Sequence, residues 1–183
     1  MRIIAGQWRG RPLVAPKGDA TRPTADRTRE ALFSMLVSRL GGLEDLRVAD
    51  LFAGSGALGL EALSRGAAHC IFVEQDRAAL DALRTNIAKL GAQNAEVRPG
   101  SVLALPPTAT PLDVVMMDPP YFSGAGSVAL DKLARLGWIG SATLVSIETA
   151  RTEDVSVDGF AIEAQRDYGK ARITLLRAAQ STR

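Results

Sequence analysis

Between residues 47 and 148 the chain alternates short apolar segments with segments of helical period. Apolar runs of this length are typical of strands buried on both faces, and glycines follow two of the intervening helical segments. We predict strands at residues 47–52, 68–74, 95–98, 112–118 and 143–148, and helices at residues 57–65, 77–90 and 127–136. Repeated strand–helix alternation predicts a doubly wound α/β sheet, mostly parallel, with helices on both faces.

The segments on either side of this core have different patterns. Residues 24–40 have helical spacing of apolar side chains, with Thr24 as a capping residue and two glycines after the last turn. Residues 160–165 and 171–176 alternate with period two, which predicts a closing hairpin and brings the sheet to seven strands. At the other end, residues 2–6 and 13–15 predict short strands of a small, irregular β-hairpin.

Charge is distributed unevenly over the 183 residues, although the net charge is only +2. Residues 1–29 contain seven basic and two acidic side chains, a net charge of +5, whereas the rest contains 15 basic and 18 acidic groups, a net charge of −3. A basic segment on a slightly acidic body suggests a polyanion as partner, and a solvated Arg-rich segment is the alternative. We therefore divide the chain into a basic N-terminal extension, residues 1–23, and one domain, residues 24–183.

Cysteine and histidine are almost absent, which excludes several classes of protein. The single Cys70 rules out a disulfide framework, and with the single His69 it makes a zinc site implausible. Cys70 lies in an apolar run, so we expect it in the core. No apolar stretch approaches the ~18 residues that span a membrane, and residues 1–6 lack the apolar segment of a signal peptide. We expect a cytoplasmic protein with no bound metal and no membrane contact.

A glycine-rich turn follows the first predicted strand of the core. Residues 50–59 read Asp-Leu-Phe-Ala-Gly-Ser-Gly-Ala-Leu-Gly, which satisfies the G-x-G-x-x-G spacing. Gly54 and Gly56 can adopt backbone angles closed to other residues and let a ligand approach the main chain. Gly59 lets the following helix pack close to the strand, and the N–H groups at the start of that helix attract a negatively charged ligand group.

An acidic residue follows the glycine-rich turn at the sequence spacing that is typical of cofactor-binding folds. Glu74 lies 20 residues after Gly54, at the end of the next predicted strand, where its carboxylate can accept hydrogen bonds from ribose hydroxyls. The pattern predicts an adenosine-type cofactor, either NAD or S-adenosylmethionine. Asp50 either holds the ammonium group of such a cofactor or binds N–H groups of the loop itself.

The tetrapeptide Asp118-Pro119-Pro120-Tyr121 follows an apolar strand and therefore lies beside the predicted cofactor crevice. Each proline pushes the residue before it to an extended conformation, and neither has an N–H group. The result is a rigid corner that displays one carboxylate and nearby carbonyl oxygens, which suit a planar NH₂ group. Tyr121 provides a flat face on which a heterocycle can stack. A turn with a partly buried tyrosine is the alternative.

These motifs resemble those of a known family. Asp-Pro-Pro-Tyr resembles the catalytic motif of amino-group S-adenosylmethionine methyltransferases, and residues 50–56 resemble their cofactor loop. Further matching segments are residues 1–6, 22–24, 26–27, 29–33 and 59–67. Together they are similar to the bacterial 16S ribosomal RNA guanine-N2 methyltransferases of the RsmD type, which modify guanine 966 of the small-subunit RNA. The resemblance covers residues 1–122 and implies a Rossmann-like methyltransferase fold.

The resemblance also implies a catalytic role for each residue of the proline corner. Asp118 and the Pro119 carbonyl would bind the N2 amine of the target guanine, and Tyr121 would stack on the extruded base. No Cys or His nucleophile is required, which agrees with the composition. The cofactor would be S-adenosyl-L-methionine, with S-adenosyl-L-homocysteine as product and no metal.

For the cofactor, the resemblance implies contacts from Gly54, Gly56 and Glu74, with Thr24 closing over the site. Many relatives have an Asp or Asn after the third strand to bind the adenine amino group, and Ser101 stands there in this chain. This departure leaves the main chain of Val102 as the alternative adenine contact.

The N-terminal extension is the predicted RNA-binding arm. Its candidate contacts are Arg2, Trp8, Arg9, Arg11, Lys17 and Arg22. The arginines and Lys17 suit phosphate contacts, and Trp8 provides either a stacking surface or an apolar plug beneath the hairpin. Arg22 lies beside the segment that closes over the cofactor and could contact either ligand. The expected partner is 16S rRNA or a small ribosomal subunit particle, and we expect a monomer.

Three alternative functions fit parts of the pattern. The same chemistry could act on adenine N6 of DNA, on another rRNA base or on a glutamine amide of a protein. An NAD-dependent oxidoreductase would use the glycine loop but leaves residues 118–121 unexplained. A non-catalytic RNA-binding module would not need the glycines, Glu74 and Asp118 together.

Overall fold

The computed structural model describes residues 1–17 and 23–180, with the backbone only for residues 23 and 24. The strands are β1 (Arg47–Leu51), β2 (His69–Glu74), β3 (Ala95–Pro99), β4 (Val114–Met117), β5 (Leu144–Ala150), β6 (Phe160–Tyr168) and β7 (Ala171–Ala178). The α-helices are α1 (Pro23–Leu40), α2 (Ala57–Ser64), α3 (Arg77–Leu90) and α4 (Ala125–Arg135), and Val102–Ala104 form a short 3₁₀ helix.

The strands form one sheet in the order β3-β2-β1-β4-β5-β7-β6. β1 to β5 run parallel, and β7 is antiparallel to both of its neighbours, β5 and β6. The chain reverses direction across the sheet at β1, where β2 lies on one side and β4 on the other. Ligands of doubly wound sheets bind outside the carboxyl ends of the strands at such a switch point. The predicted seven-stranded, mostly parallel sheet is confirmed.

Alternate residues of each central strand belong to two separate cores, one on each face of the sheet. Val48 of β1 and Phe72 of β2 pack with buried side chains of α1, α2 and α3. Leu51 and Val73, which point to the other face, pack with α4 and the 3₁₀ helix. Because strand side chains alternate between faces, an almost continuous apolar strand sequence requires cover on both sides. Helices on both faces are therefore confirmed.

The helix boundaries differ slightly from the prediction. α4 begins at Ala125, two residues before the predicted start, because Gly124 adopts the left-handed conformation with φ 66° and the Ser123 hydroxyl accepts the Ala125 N–H. α1 begins at Pro23, so Thr24 lies inside the first turn rather than before it. Proline is favoured at the first helical position because its missing N–H would have no partner there. The Thr24 side chain and Arg22 lie outside the described residues.

The N-terminal hairpin is less regular than predicted. A single antiparallel bridge joins Arg2 to Pro12, and residues 2–6 and 13–15 do not form strands. Pro12 has no N–H group to extend the ladder. The Ile3 N–H donates to the Arg11 carbonyl and the Leu13 N–H to the Met1 carbonyl, so the two arms do pair with each other. The N–H groups of Ile4 and Val14 donate to side chains of α2 and α3, so the segment is also bound to the domain.

The environment of Cys70 agrees with the sequence interpretation. Cys70 is fully buried in the core on the α1–α3 face, as predicted. In the described ranges, no three His, Cys, Asp or Glu side chains lie close enough together to hold a metal ion. Within the same ranges no helix has the length and apolar character needed to cross a membrane.

Candidate active site

A cleft of about 940 Å³ opens at the carboxyl ends of the central strands. Its floor consists of Asp50, the loop after β1 and Asp118 after β4. Asp26 and Arg29 of α1 form one wall, and the turn between β6 and β7 forms another. The cleft therefore brings together the glycine loop and the proline corner, which are more than sixty positions apart in the sequence.

The three glycines of the loop after β1 have different local roles. Gly54 has φ +58° and open space where a Cβ would stand, so its main chain is accessible to a ligand. Gly56 has φ +86°, and a Cβ there would lie 2.4 Å from Leu83 Cδ1. A Cβ on Gly59 would lie 2.3 Å from the Phe72 ring. Gly59 therefore permits close packing of α2 on β2, as the sequence predicts.

Two carboxylates hold the glycine loop in place. Glu74 Oε2 accepts the Gly54 N–H at 2.7 Å, and its other oxygen accepts N–H groups of residues 75 and 76. Asp50 is buried, and its Oδ2 accepts the Gly59 N–H at 2.9 Å, which is the second of the two roles proposed for it. Burial, with added repulsion from Asp118 and Glu74, raises the pKa of Asp50 well above its ordinary value. Asp50 lines the cleft, whereas Glu74 lies behind Gly54 and outside the lining.

The proline corner presents its carboxylate to the cleft. Asp118 is exposed to the cleft. Desolvation by the protein around the cleft and the negative charge of Glu148 raise the pKa of Asp118 to about 7. Pro119 is buried and Pro120 is exposed, so the corner is anchored on one side only.

Tyr121 is held by a residue that the sequence analysis did not identify. Its phenol donates a hydrogen bond to Glu148 Oε1 at 3.0 Å, and the side chain remains 43% exposed. Glu148 lies on β5 and also lines the cleft. The sequence placed Glu148 at the end of a predicted strand, but only the strand order places β5 next to β4.

The sequence analysis also did not identify the next residue, Phe122. Its side chain is 71% exposed, and its backbone has φ 58°, an unfavourable conformation for a bulky residue that costs about 1–3 kcal/mol. Glu153 Oε2 accepts the Phe122 N–H at 2.8 Å. The end of the proline corner, Tyr121, and the residue after it, Phe122, are thus each held by a glutamate from the β5 region.

The predicted adenine contacts lie apart from the cleft lining. Ser101 Oγ accepts the Leu103 N–H at 3.2 Å and so begins the 3₁₀ helix. The Val102 side chain is buried in the core on the α4 face. Ser101 therefore binds the local backbone through its oxygen, and because it is exposed its hydroxyl hydrogen is still available to a ligand, as is the main chain of this segment.

The N-terminal segment is docked on the domain by its backbone. Glu61 of α2 accepts the N–H groups of Ile4 and Ala5 at 2.9 and 3.0 Å. Asn86 of α3 exchanges two hydrogen bonds with the backbone of Val14 and donates a third to the Ser55 carbonyl in the glycine loop. The arm and the cofactor loop therefore share a buried side chain.

The candidate RNA contacts of the arm differ in their surroundings. Arg2, Arg9, Arg11 and Lys17 are exposed. The Arg11 guanidinium donates to the Lys89 carbonyl at 2.7 Å, and the buried Arg29 donates to the Arg2 carbonyl. Trp8 is half-buried and packs against the core, and its backbone N–H donates to Ser64 Oγ. The plug role proposed for Trp8 therefore agrees with this packing.

Comparisons with known proteins agree with this architecture. Residues 1–177 match the model of the family described as conserved hypothetical protein 95. The chain is 43% identical over 150 residues to ribosomal RNA small subunit methyltransferase D of Escherichia coli K12, covering 81% of this chain and 74% of that one. It is 38% identical over 156 residues to the Haemophilus influenzae protein of the same name, covering 82% and 79%.

Solved structures show the same fold. The Escherichia coli protein yhhF superimposes with a TM-score of 0.84, 37% identity and 97% coverage of both chains. Magnesium protoporphyrin IX methyltransferase of Synechocystis, solved with bound S-adenosylmethionine, has a TM-score of 0.67 at 16% identity, covering 88% and 87%. The second match supports the methyltransferase fold only. From the family match and the identity to its relatives, the chain belongs to the RsmD family, which includes the two ribosomal RNA small subunit methyltransferases named above.

Proposed function

We propose that this protein methylates the exocyclic N2 of guanine 966 in 16S rRNA, using S-adenosyl-L-methionine. The main support is that the glycine loop and the Asp118–Tyr121 corner open into one cleft. A cofactor-binding loop and a binding site for a planar amine are the two parts that such a reaction needs. We further propose that the protein acts as a monomer in the cytoplasm, on the rRNA or on a small-subunit particle.

The residues of the cleft fit this cofactor. Gly54 leaves its main chain open, and Asp50, which lines the cleft, has a carboxylate that suits the ammonium group of the ligand. Glu74, beside Gly54, is the candidate for the ribose hydroxyls, with Gly56, Thr24 and the Val102 main chain as further contacts. When bound, S-adenosylmethionine supplies an electrophilic methyl group and becomes S-adenosylhomocysteine.

Asp118 and the Pro119 carbonyl would act on the guanine amine. The lone pair of N2 is delocalised into the ring, so the amine is a weak nucleophile. Two acceptors that bind its hydrogens orient the lone pair and stabilise the positive charge that develops as N2 forms its bond to the methyl carbon. The electrons of the broken carbon–sulfur bond stay on sulfur, and N2 then releases one proton to the Asp118 carboxylate.

Base extrusion would be assisted by Tyr121. Flipping a base out of its stack costs a few kcal/mol, and stacking on an aromatic ring recovers part of that free energy. Tyr121 lines the cleft next to Asp118 and keeps an exposed face. The ring and the carboxylate therefore suit a planar base with an exocyclic amine.

The basic arm would hold the RNA backbone. Arg9 and Arg11 are exposed, and the docked arm places Met1, Ala15 and Pro16 in the cleft lining. Arg2 and Lys17 would add phosphate contacts, with Arg22 as a further candidate.

Neutralising the arm is expected to weaken RNA binding in a salt-dependent way. In the Arg9→Gln/Arg11→Gln variant, fewer counterions are released on binding, so the slope of log affinity against log salt should fall by about 1 to 2. Filter binding of a 16S rRNA fragment at several salt concentrations measures this slope. Arg135→Gln, which removes an exposed arginine on α4, is the matched control. An unchanged slope in the double variant would remove these arginines from the interface.

The proposed function is tested by methylation with a labelled cofactor. The purified protein is assayed on small-subunit particles, naked 16S rRNA, DNA and protein, and the modified nucleotide is mapped. We expect label on one guanine N2 of 16S rRNA, at position 966, from particles or naked RNA. Label on DNA adenine, on another rRNA base or on glutamine would overturn the proposal. Thermal stabilisation by NADH but not by S-adenosylhomocysteine would instead support the oxidoreductase.

A further inference from the structure

Glu148 occupies a position that the proposed reaction has not yet used. β4 and β5 are adjacent and parallel, with Met117 opposite Ile147. The residues that follow, Asp118 and Glu148, are therefore neighbours on strands about 4.8 Å apart. Both carboxylates line the same cleft. Asp118 belongs to the proline corner. Glu148 contacts the corner because its Oε1 accepts a hydrogen bond from the Tyr121 hydroxyl at 3.0 Å.

We propose that Glu148 is a positioning residue of the methyl-transfer site, which fixes the Tyr121 ring and holds a negative charge beside Asp118. This inference rests on the proposed function. Glu148 need not touch the guanine, because each of its two effects acts through a residue of the corner.

The first effect concerns the Tyr121 ring. Tyr121 is the last residue of the corner and begins the exposed loop before α4, where the two prolines constrain the backbone but not the direction of the ring. A hydrogen bond from the phenol to a carboxylate is charge-assisted and therefore stronger than a neutral one. Holding the ring in one orientation reduces the entropy lost when a base stacks on it.

The second effect concerns the charge of Asp118. Two carboxylates that share a site resist simultaneous ionisation, so the negative charge of Glu148 makes Asp118 a better proton acceptor. Burial also raises the pKa of Glu148, against the lowering effect of the Tyr121 phenol. The other charged or titratable groups that line the same cleft are Asp50 from β1, Asp26 and Arg29 from α1, Tyr168 and Lys170 beside the β6–β7 turn, and the amino group of Met1. Glu153, after β5, acts on Tyr121.

Two substitutions separate these effects. Glu148→Gln keeps an oxygen that can accept the phenol hydrogen but removes the charge, whereas Glu148→Ala removes both. A third variant, Tyr121→Phe, removes only the phenolic hydroxyl group and keeps the ring. The matched control is Glu44→Gln, which changes an exposed carboxylate in the segment before β1, at the opposite end of the strands.

The ring effect is tested by a double-mutant cycle on methylation of the RNA. We expect Tyr121→Phe to lower kcat/KM by about tenfold in the wild-type background and by less than about twofold in the Glu148→Ala background, since the hydrogen bond is already lost there. Glu44→Gln should leave both values unchanged. An equal loss in the two backgrounds would show that Tyr121 and Glu148 act independently and would overturn the proposal.

The charge effect is tested without any reaction. Titration of the ¹³C-labelled Asp118 carboxyl group by NMR in the free protein should give a midpoint near the pKa of about 7. In Glu148→Gln the midpoint should move to lower pH by about one pH unit. Because the ionised carboxylate is the proton acceptor, the acidic limb of the kcat profile should move in the same direction. An unchanged midpoint would overturn the proposal.

The two proposals fail in different ways. If the wild-type protein does not methylate 16S rRNA, the proposed function is wrong, and the NMR midpoint still decides whether Glu148 acts on Asp118. If the wild-type protein methylates the RNA and the cycle shows no coupling, only the role of Glu148 is wrong.

Discussion

Replacing Asp118 by Ala is expected to lower methyl transfer to 16S rRNA by at least about 1,000-fold, because it removes the carboxylate that orients the guanine amine and accepts its proton. Asp118 is the acidic member of the proline corner, and it lines the cleft beside the glycine loop. A single-turnover assay with labelled cofactor measures the chemical step directly. Asp118→Asn keeps the shape but not the charge, and it should also be strongly impaired.

The same substitution should leave cofactor binding nearly intact. The hydrogen bonds that hold the glycine loop come from Asp50 and Glu74, which the change does not touch. We expect the affinity for S-adenosylhomocysteine, measured by calorimetry, to change less than about threefold, which corresponds to less than about 1 kcal/mol. Asp131→Ala on the surface of α4 is the control for both assays. Near-wild-type methylation by Asp118→Ala would contradict the proposed mechanism.

Replacing Glu61 by Ala is expected to destabilise the protein by about 3–5 kcal/mol and to release the N-terminal arm. The Glu61 carboxylate is 0% exposed and accepts two arm N–H groups, and it pairs with Arg65 at 2.9 Å. Arg29, which is 4% exposed, has its Nε 3.8 Å from Glu61 and no hydrogen bond at that atom. Removing the carboxylate leaves this buried guanidinium with less compensation.

Urea unfolding measures the loss of stability, and limited digestion with trypsin measures the release of the arm. In the variant, cleavage after Arg9 should become faster than unfolding of the domain, whereas the Arg11–Pro12 bond is not a trypsin site. Glu44→Ala, which removes an exposed glutamate, should change neither property. If Glu61→Ala were as stable as the wild type and its arm as resistant to trypsin, Glu61 would not be the residue that docks the arm.

Docking of the arm also affects the site. Met1, Ala15 and Pro16 line the cleft, so an undocked arm would widen it. We therefore expect Glu61→Ala to lose RNA methylation in parallel with arm protection. The basic arm and the cleft thus form one surface, although their net charges have opposite signs.

Much of the fold could be predicted from local patterns. The strands and helices between residues 47 and 148 lie within a few residues of the predicted positions because their apolar spacing requires cover on one or both faces. The N-terminal hairpin was predicted less well. Its alternating residues do not show that Glu61 and Asn86 would bind the N–H groups of Ile4 and Val14, which do not pair across the hairpin.

Part of the candidate site could also be predicted from local patterns in the sequence. Gly59 and the Asp118 corner have constraints that lie in the residues themselves: a missing Cβ, and two prolines without N–H groups. The signal for Glu148 was only its position at the end of a predicted strand. Nothing in the residues around it indicates that Tyr121, 27 positions away, is its partner.

By itself the sequence determined the elements, the glycine loop and the rigid acidic corner, because backbone sterics and hydrophobic period act between neighbouring residues. The tertiary structure alone decided which strand ends adjoin and where the arm docks. The strand order makes Asp118 and Glu148 neighbours, and Glu61 holds an arm residue 57 positions away. These contacts arise from burying the two faces of one sheet, which depends on the whole chain and not on any local segment.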